Sequence, residues 1–180
     1  MKNFIIFNIL VALVASDVFE NNHWGHSLKN TNYFVEENII GRHNVGSLQI
    51  FCAFNLSGPW ETAEITVKDD IMYFGDFGGY IYAVYVNCTL KWKIFLPNIT
   101  GKYGSLQPNL GYSGSMTRNS IAIKDGLGIF GDYNGGTIFA INIDNGQVVW
   151  NKTISYHPFA RIAQSATIYN GRVIVGTASV

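Results

Sequence analysis

The chain has 180 residues, of which 48% are hydrophobic and 13% are charged, and its 12 basic residues balance its 12 acidic ones. This length suits one ordinary domain. The zero formal charge excludes the long-range positive field by which nucleic-acid-binding proteins attract their partners. The 19 glycines and the 14% of aromatic residues favour short, half-buried strands joined by tight turns over a disordered chain.

The first 16 residues have the pattern of a secretory signal peptide. Lys2 precedes an apolar stretch over residues 4–14, and the small residues Ala15 and Ser16 follow it. Such a stretch is short for a membrane span, and an uncleaved anchor or a buried first strand is the alternative interpretation. Residues 17–46 then form a polar N-terminal arm. We therefore expect a secreted protein with no membrane association after cleavage.

Four Asn-x-Ser/Thr sequons and two cysteines are compatible with a secretory route. The sequons predict N-glycosylation on surface loops. Their asparagines are Asn55, Asn87, Asn98 and Asn151. An oxidising compartment would permit a disulfide between Cys52 and Cys88. Because Cys52 falls in a strand-like run and Cys88 in a turn, two independent thiols are an equally compatible interpretation.

From residue 47 onward the pattern predicts β structure throughout and no helix. A strand-like run at 48–54 precedes two sets of four short strands. The first set is expected at 63–68, 71–74, 80–86 and 90–95, and the second at 120–124, 127–130, 137–143 and 148–154. Both sets contain Phe-Gly-Asp followed by a glycine pair, and each ends in a tryptophan strand. A third unit begins with strands at 165–169 and 172–176.

Four-stranded units that recur with a period near 50 residues are typical of β-propeller blades. We predict an all-β chain in which residues 47–180 form a partial β-propeller of antiparallel blades, at about 62–95, 119–154 and 165–180. Residues 97–114 should be a loop that adds no strand to either complete blade. Trp92 and Trp150 should cover the gap to the next blade, and Gly75 and Gly131 should permit tight turns.

The repeats resemble those of pyrroloquinoline-quinone (PQQ) enzymes. Their consensus is Gly-x-x-x-Gly-x-x-Tyr-Ala-x-Asp-x-x-Thr-Gly-x-x-x-Trp. The second copy matches it at Ala140, Asn142, Asn145-Gly146 and Trp150, whereas the first copy has Asn87-Cys88 in place of the Thr-Gly turn.

Sequence outside the repeats resembles one subgroup of these proteins. Residues 24–31, Trp-Gly-His-Ser-Leu-Lys-Asn-Thr, are similar to the Trp-Gly-x-Asp-x-x-Asn-Thr opening of polyvinyl-alcohol-dehydrogenase-like quinoproteins. Residues 157–160 and 165–176 are similar to the start of the third blade in that group. The resemblance implies an eight-bladed propeller with PQQ and calcium on its axis, in which PQQ takes a hydride from an alcohol and an aspartate acts as base.

Within this resemblance, Arg118 is the one position that carries over as a cofactor-binding residue. It matches an arginine that can reach the oxygens of the quinone as a charge-assisted donor. A loop arginine that faces solvent or pairs with a carboxylate is the alternative. The sequence lacks the adjacent cysteine pair that covers PQQ in some relatives. The family's calcium-binding glutamate and asparagine and its catalytic aspartate are expected beyond residue 180.

The resemblance therefore implies the N-terminal portion, about three of eight blades, of a secreted PQQ-dependent alcohol dehydrogenase-like protein. A small alcohol would be the substrate of the full-length protein. We expect this chain alone to be catalytically silent, with no assigned catalytic or metal-binding residue, and to bind neither PQQ nor calcium tightly. The alternative is a non-catalytic propeller that acts as a binding or scaffold module.

Other polar residues are given structural roles. Asp76 and Asp132 lie beside glycine-rich turns and are predicted to accept hydrogen bonds from turn amides. The four histidines show no metal-ligand spacing apart from a loose His23–His26 pair, so surface positions are expected for His43 and His157.

Overall fold

The computed structural model describes residues 24–25, 32–33, 38–59, 63–104, 106–107, 111–112 and 114–179. The predicted signal peptide at 1–16, most of the arm at 17–46, and the pair His23 and His26 lie outside the described residues. Among the described residues, no helix is long and apolar enough to cross a membrane. This part of the chain is nearly all β, as predicted.

The first four-stranded sheet is antiparallel, and its strand order follows the chain. Its strands are β1 (Thr66–Lys68), β2 (Ile71–Gly75), β3 (Tyr80–Tyr85) and β4 (Leu90–Phe95). All of β2 is buried, whereas β4 is half-buried or exposed. The apolar strands therefore lie inside the sheet, and the strand that carries Trp92 forms one of its edges.

The segment after β4 begins with a short helix, which the sequence analysis did not predict. Helix α1 (Leu96–Thr100) has Pro97 in its first turn, where the missing N–H costs no helical hydrogen bond. Gly101 ends the helix with a φ of 71° and donates its N–H to the carbonyl of Pro97. The strands β5 (Leu106–Gln107) and β6 (Gly111–Tyr112) then pair only with each other. Where the structure describes this segment, it adds no strand to either blade, as predicted.

The second four-stranded sheet repeats the first. Its strands are β7 (Ala122–Lys124), β8 (Leu127–Gly131), β9 (Thr137–Asn142) and β10 (Val148–Thr153). Ala83 lies opposite Trp92 in the first sheet, and Ala140 lies opposite Trp150 in the second. The two sheets thus share strand order and register, as the internal repeat predicts.

The third unit contains two separate pairs of short strands. Its strands are β11 (Ala160–Arg161), β12 (Thr167–Tyr169), β13 (Arg172–Ile174) and β14 (Ala178–Ser179). β12 and β13 form the predicted hairpin, while β11 pairs with β14. Ile162, directly after β11, is fully buried and packs with residues of the second sheet.

The run at 48–54 is not a strand, contrary to the prediction. Phe54, near the end of this run, instead packs onto the face of the first sheet: its ring lies edge-on to Tyr82, with 5.6 Å between centroids. Packing on a face offers the backbone no ladder partner. A disulfide joins Cys52 to Cys88 in the turn between β3 and β4, with 6.0 Å between the Cα atoms. The bridge ties this segment to the sheet that it covers.

The two large sheets face each other across a shared core. This core includes Tyr73 and Ile81 of the first sheet and Phe130 and Phe139 of the second. The hydroxyl of Thr66 in β1 donates to the carbonyl of Ile121, just before β7, at 2.6 Å. Consecutive sheets therefore pack face to face, which is the arrangement of consecutive blades in a propeller.

Gly75 and Gly131 have a different role from the one predicted. Neither has a positive φ, so neither supplies a tight turn. A Cβ at Gly75 would collide with the side chain of Thr117, and one at Gly131 would collide with that of Ile162. Glycine is required because the chain that enters the next unit passes directly over the end of the preceding β2 or β8. In the hairpin between β2 and β3, Gly79 has a positive φ.

Candidate functional site

Arg118 belongs to a short segment that precedes β7 and is otherwise buried. Residues 114–117 are buried, and so are Asn119 and Ser120. The side-chain nitrogen Nδ2 of Asn119 donates to the backbone carbonyls of Gly131 and Ile162 at 3.1 and 2.9 Å. Its side-chain oxygen Oδ1 accepts a hydrogen bond from the Gly131 N–H. These bonds anchor Asn119, the residue that follows Arg118, whereas the side chain of Arg118 itself is exposed.

The guanidinium of Arg118 lies against Tyr133, in the turn between β8 and β9. Its Nη1 donates to the Tyr133 hydroxyl at 3.2 Å, and its Cζ is 5.4 Å from the ring centroid. The Tyr133 backbone N–H donates to the carbonyl of Met116 at 2.7 Å, which holds the tyrosine beside the segment. Among the described residues, Arg118 has no carboxylate partner.

Arg161 of β11 contacts the same tyrosine. Its Nη1 donates to the Tyr133 hydroxyl at 3.3 Å, and its Cζ is 5.3 Å from the ring centroid. Neither Tyr133 nor Arg161 is marked as a site residue by the sequence. No local spacing connects them to Arg118, because three separate segments meet here through the packing of the third unit on the second sheet.

Asp76 is fully buried, and its carboxylate accepts hydrogen bonds that stabilise the turn between β2 and β3. One carboxylate oxygen accepts the N–H groups of Gly78 and Tyr80, both at 2.9 Å. The other accepts the Gly58 N–H and the Tyr82 hydroxyl, both at 2.6 Å. Burial raises the pKa of Asp76, and these hydrogen bonds oppose that rise. The predicted bonds to turn amides are confirmed, and no carboxylate oxygen is left to act as a base on a ligand.

Asp132 has the corresponding place in the second sheet. It accepts the Ser115 hydroxyl at 2.8 Å and the N–H groups of Met116 and Asn134 at 3.3 and 3.0 Å. Burial raises its pKa, while these bonds and the positive charge of Lys102 oppose the rise. The side chain is fully buried and stabilises the turn that presents Tyr133.

The other candidate residues do not gather into a site. His43 and His157 are exposed, as expected. Among the described residues, no group of three His, Cys, Asp or Glu side chains is placed to hold a metal ion.

The four sequon asparagines are all exposed, but only two are in loops or turns. Asn55 lies in the segment that covers the first sheet, and Asn87 is in the turn between β3 and β4. Asn98 is in α1 and Asn151 is in β10. The prediction of surface loops is therefore wrong for Asn98 and Asn151. Both side chains are nevertheless exposed and accessible. Their glycosylation stays a prediction.

Comparison with known proteins identifies the fold. No protein-family profile and no curated protein matches the chain, but solved structures do. The quinohemoprotein alcohol dehydrogenase of Comamonas testosteroni is 19% identical, with a TM-score of 0.68 over 89% of this chain and 23% of that chain. A quinohemoprotein alcohol dehydrogenase of Pseudomonas putida HK5 is 21% identical, with the same TM-score and the same coverage.

A europium-containing methanol dehydrogenase is 17% identical, with a TM-score of 0.68 over 89% of this chain and 27% of that chain. These similarities show that the chain has the fold of a partial β-propeller of the quinoprotein alcohol dehydrogenase type, as predicted. The chain spans about a quarter of the length of the dehydrogenases that it matches.

Proposed function

We propose that this chain forms the first blades of a PQQ-dependent alcohol dehydrogenase-like quinoprotein and supplies one side of its cofactor site. The observation that carries this proposal is the position of Arg118. The residue that the sequence resemblance assigns to the quinone is exposed within an otherwise buried segment, in a chain with the fold of these dehydrogenases. The complete ring would oxidise a small alcohol.

The chemistry of Arg118 fits PQQ, whose quinone oxygens and carboxylates accept hydrogen bonds. A planar guanidinium donates to such groups in a fixed fork and keeps its positive charge at every physiological pH. When bound, PQQ would supply the hydride acceptor. Arg118 would orient the quinone, and the Asn119 hydrogen bonds would keep the arginine in place.

The chain by itself would not catalyse alcohol oxidation or bind PQQ or calcium tightly. Asp76 and Asp132, the two aspartates beside the glycine-rich turns, are buried and have their oxygens engaged within the protein. A base must reach the proton that it removes, and these carboxylates do not reach the surface. The contribution that we propose for this chain is to position the cofactor.

Several features support a secretory route for this protein. The signal peptide predicted at 1–16 would direct the chain there, with an arm at 17–46 and the propeller at 47–180. The Cys52–Cys88 disulfide is typical of an oxidising compartment. The exposed side chains of Asn55, Asn87, Asn98 and Asn151 would be available to glycosylation.

Equilibrium dialysis against PQQ tests the cofactor proposal. We expect weak binding by the wild-type chain and by Arg172→Gln, a control that removes an exposed arginine from β13, and at least about tenfold weaker binding by Arg118→Gln. Adding calcium, a primary alcohol and a redox dye should give no dye reduction. Equal binding by all three proteins would contradict the role of Arg118. Undetectable binding by wild type would favour the scaffold function.

A further inference from the structure

We propose that Arg118, Tyr133 and Arg161 form a binding site for a ligand that carries at least two carboxylate groups. This site, the Arg–Tyr–Arg cluster, rests on the geometry of the three side chains and holds whether or not the chain takes part in quinone chemistry. Each guanidinium places its Nη1 within 3.3 Å of one phenol oxygen.

The charge of the cluster is not balanced by the protein around it. Neither arginine has a carboxylate partner among the described residues. The nearest carboxylate along the chain, Asp132, directs its oxygens to Ser115, Met116 and Asn134. Two positive charges that share one tyrosine repel each other, and an anion that contacts both would remove this repulsion.

The hydrogen-bonding capacity of the cluster points in the same direction. The Tyr133 oxygen already accepts one N–H from each arginine, which occupies both of its acceptor sites. Its own O–H has no acceptor among the described contacts and can donate. A guanidinium has five N–H donors, and the contact with Tyr133 uses one of them on each side. The three side chains therefore place several unused hydrogen-bond donors close together.

The backbone beneath the cluster fixes its geometry. The Tyr133 N–H donates to Met116, and the Ile162 N–H donates to the Asp132 carbonyl at 3.2 Å. Asn119 binds both Gly131 and Ile162. Arg118, Tyr133 and Arg161 are thus each next to a residue that makes at least one of these bonds. Such preorganisation reduces the conformational entropy that ligand binding would cost.

The ligand class follows from the number and shape of the charges. Two planar guanidiniums favour two carboxylates, each of which can accept a bidentate pair of hydrogen bonds. A monocarboxylate can accept a bidentate pair of hydrogen bonds from only one guanidinium at a time, so a second carboxylate is needed to engage the other arginine in the same way. PQQ carries several carboxylates and belongs to this class, as do simple aromatic polycarboxylates.

Calorimetric titration with benzene-1,3,5-tricarboxylate tests the site. The wild-type chain and the control Arg172→Gln should bind this probe, and should bind benzoate and inorganic phosphate at least about tenfold more weakly. Arg118→Gln and Arg161→Gln should each lower the affinity for the tricarboxylate at least about tenfold. Tyr133→Phe, which keeps the ring and removes the hydroxyl, should lower it several-fold.

Circular dichroism and thermal melting establish that each variant is folded. Arg161→Lys keeps the charge without the planar fork, and serves if Arg161→Gln does not fold; it too should lower the affinity. Unchanged affinity in the folded Arg161 variant, or phosphate binding as tight as that of the tricarboxylate, would overturn the proposal.

A parallel titration with PQQ separates this proposal from the proposed function. If PQQ binding depends on Arg118 but not on Arg161, the proposed function stands and the two-arginine site is wrong. If binding of the tricarboxylate depends on both arginines and PQQ does not bind, the two-arginine site stands and the proposed quinoprotein function is wrong.

Discussion

Trp92 donates its indole N–H to the carbonyl oxygen of Ile143 at 2.9 Å, and so joins the outer strand of the first sheet to the end of β9 in the second. Its ring also lies against Gly146, where a Cβ would come within 3.0 Å of the indole. The equivalent Trp150 is 37% exposed. Trp92 therefore covers the gap to the next blade, as the sequence predicts, and stabilises the contact between two repeats.

Removing the Trp92 hydrogen bond should destabilise the chain. Trp92→Phe keeps an aromatic ring but leaves the Ile143 carbonyl without this donor, which should lower the free energy of unfolding by about 1 kcal/mol. The matched control Trp150→Phe should change it by less than about 0.5 kcal/mol because its ring is more exposed. Urea denaturation measures both. Equal effects of the two substitutions would show that Trp92 does not join the sheets.

Gly131 should not tolerate a side chain. A methyl group there would collide with the side chain of Ile162, so Gly131→Ala should cost about 1 to 3 kcal/mol of stability through overpacking. Gly46→Ala, with no atom within 4 Å of the added Cβ, is the control and should be nearly neutral. In Gly131→Ala/Ile162→Ala, the combined cost should be smaller than the sum of the single costs. Strict additivity would contradict the close approach.

The sequence predicts the features that repeat, because a repeated pattern reports the same local geometry twice. The strand order and the hydrogen bonds of Asp76 and Asp132 to turn amides follow from it, and the equivalent pairings of Ala83 with Trp92 and of Ala140 with Trp150 agree with it. The features outside the repeat could not be predicted in this way. The packing of Phe54 on the face of the first sheet depends on which surface is left uncovered, and the sequence does not specify that surface.

The candidate site was predicted only in part for the same reason. Arg118 could be identified because it lies next to a repeat, at a position that the family resemblance covers. Tyr133 and Arg161 reach it from other segments, and such a contact follows from the packing of one unit on the next. The Cys52–Cys88 bridge was left open because it depends on the covering segment, which the sequence indicates to be a strand.

Breaking the disulfide should loosen the segment that covers the first sheet. The bridge closes a loop with a sequence separation of 36, for which the loss of chain entropy in the unfolded state corresponds to about 4 kcal/mol. Cys52→Ser/Cys88→Ser should therefore unfold at a lower temperature than the oxidised wild type. Reductant should lower the melting temperature of the wild type and leave that of the variant unchanged. Alkylation of both cysteines without reductant would contradict the bridge.

Asp132 should make stability depend on pH. Because burial raises its pKa above the ordinary value of 3.8, the folded chain retains a proton that the unfolded chain has already released. The free energy of unfolding contributed by this group therefore falls as pH rises between the two pKa values. In the variant Asp132→Asn, the side chain at this position has no ionisable group. The stability of wild type relative to this variant should rise as the pH is lowered from 7 toward 4, and a difference that shrinks would contradict the assignment.

The central claim, that this chain presents Arg118 to a quinone cofactor, is tested most directly by nuclear magnetic resonance of the arginine side chains. In ¹⁵N-labelled protein, the Nε–Hε signal of Arg118 should shift as PQQ is added, because the guanidinium would bind the oxygens of the cofactor. The signal of Arg172, which lies in β13 outside the proposed site, should not move. Assignment comes from Arg118→Gln and Arg172→Gln. A stationary Arg118 signal, or an Arg172 signal that moves as far, would contradict the claim.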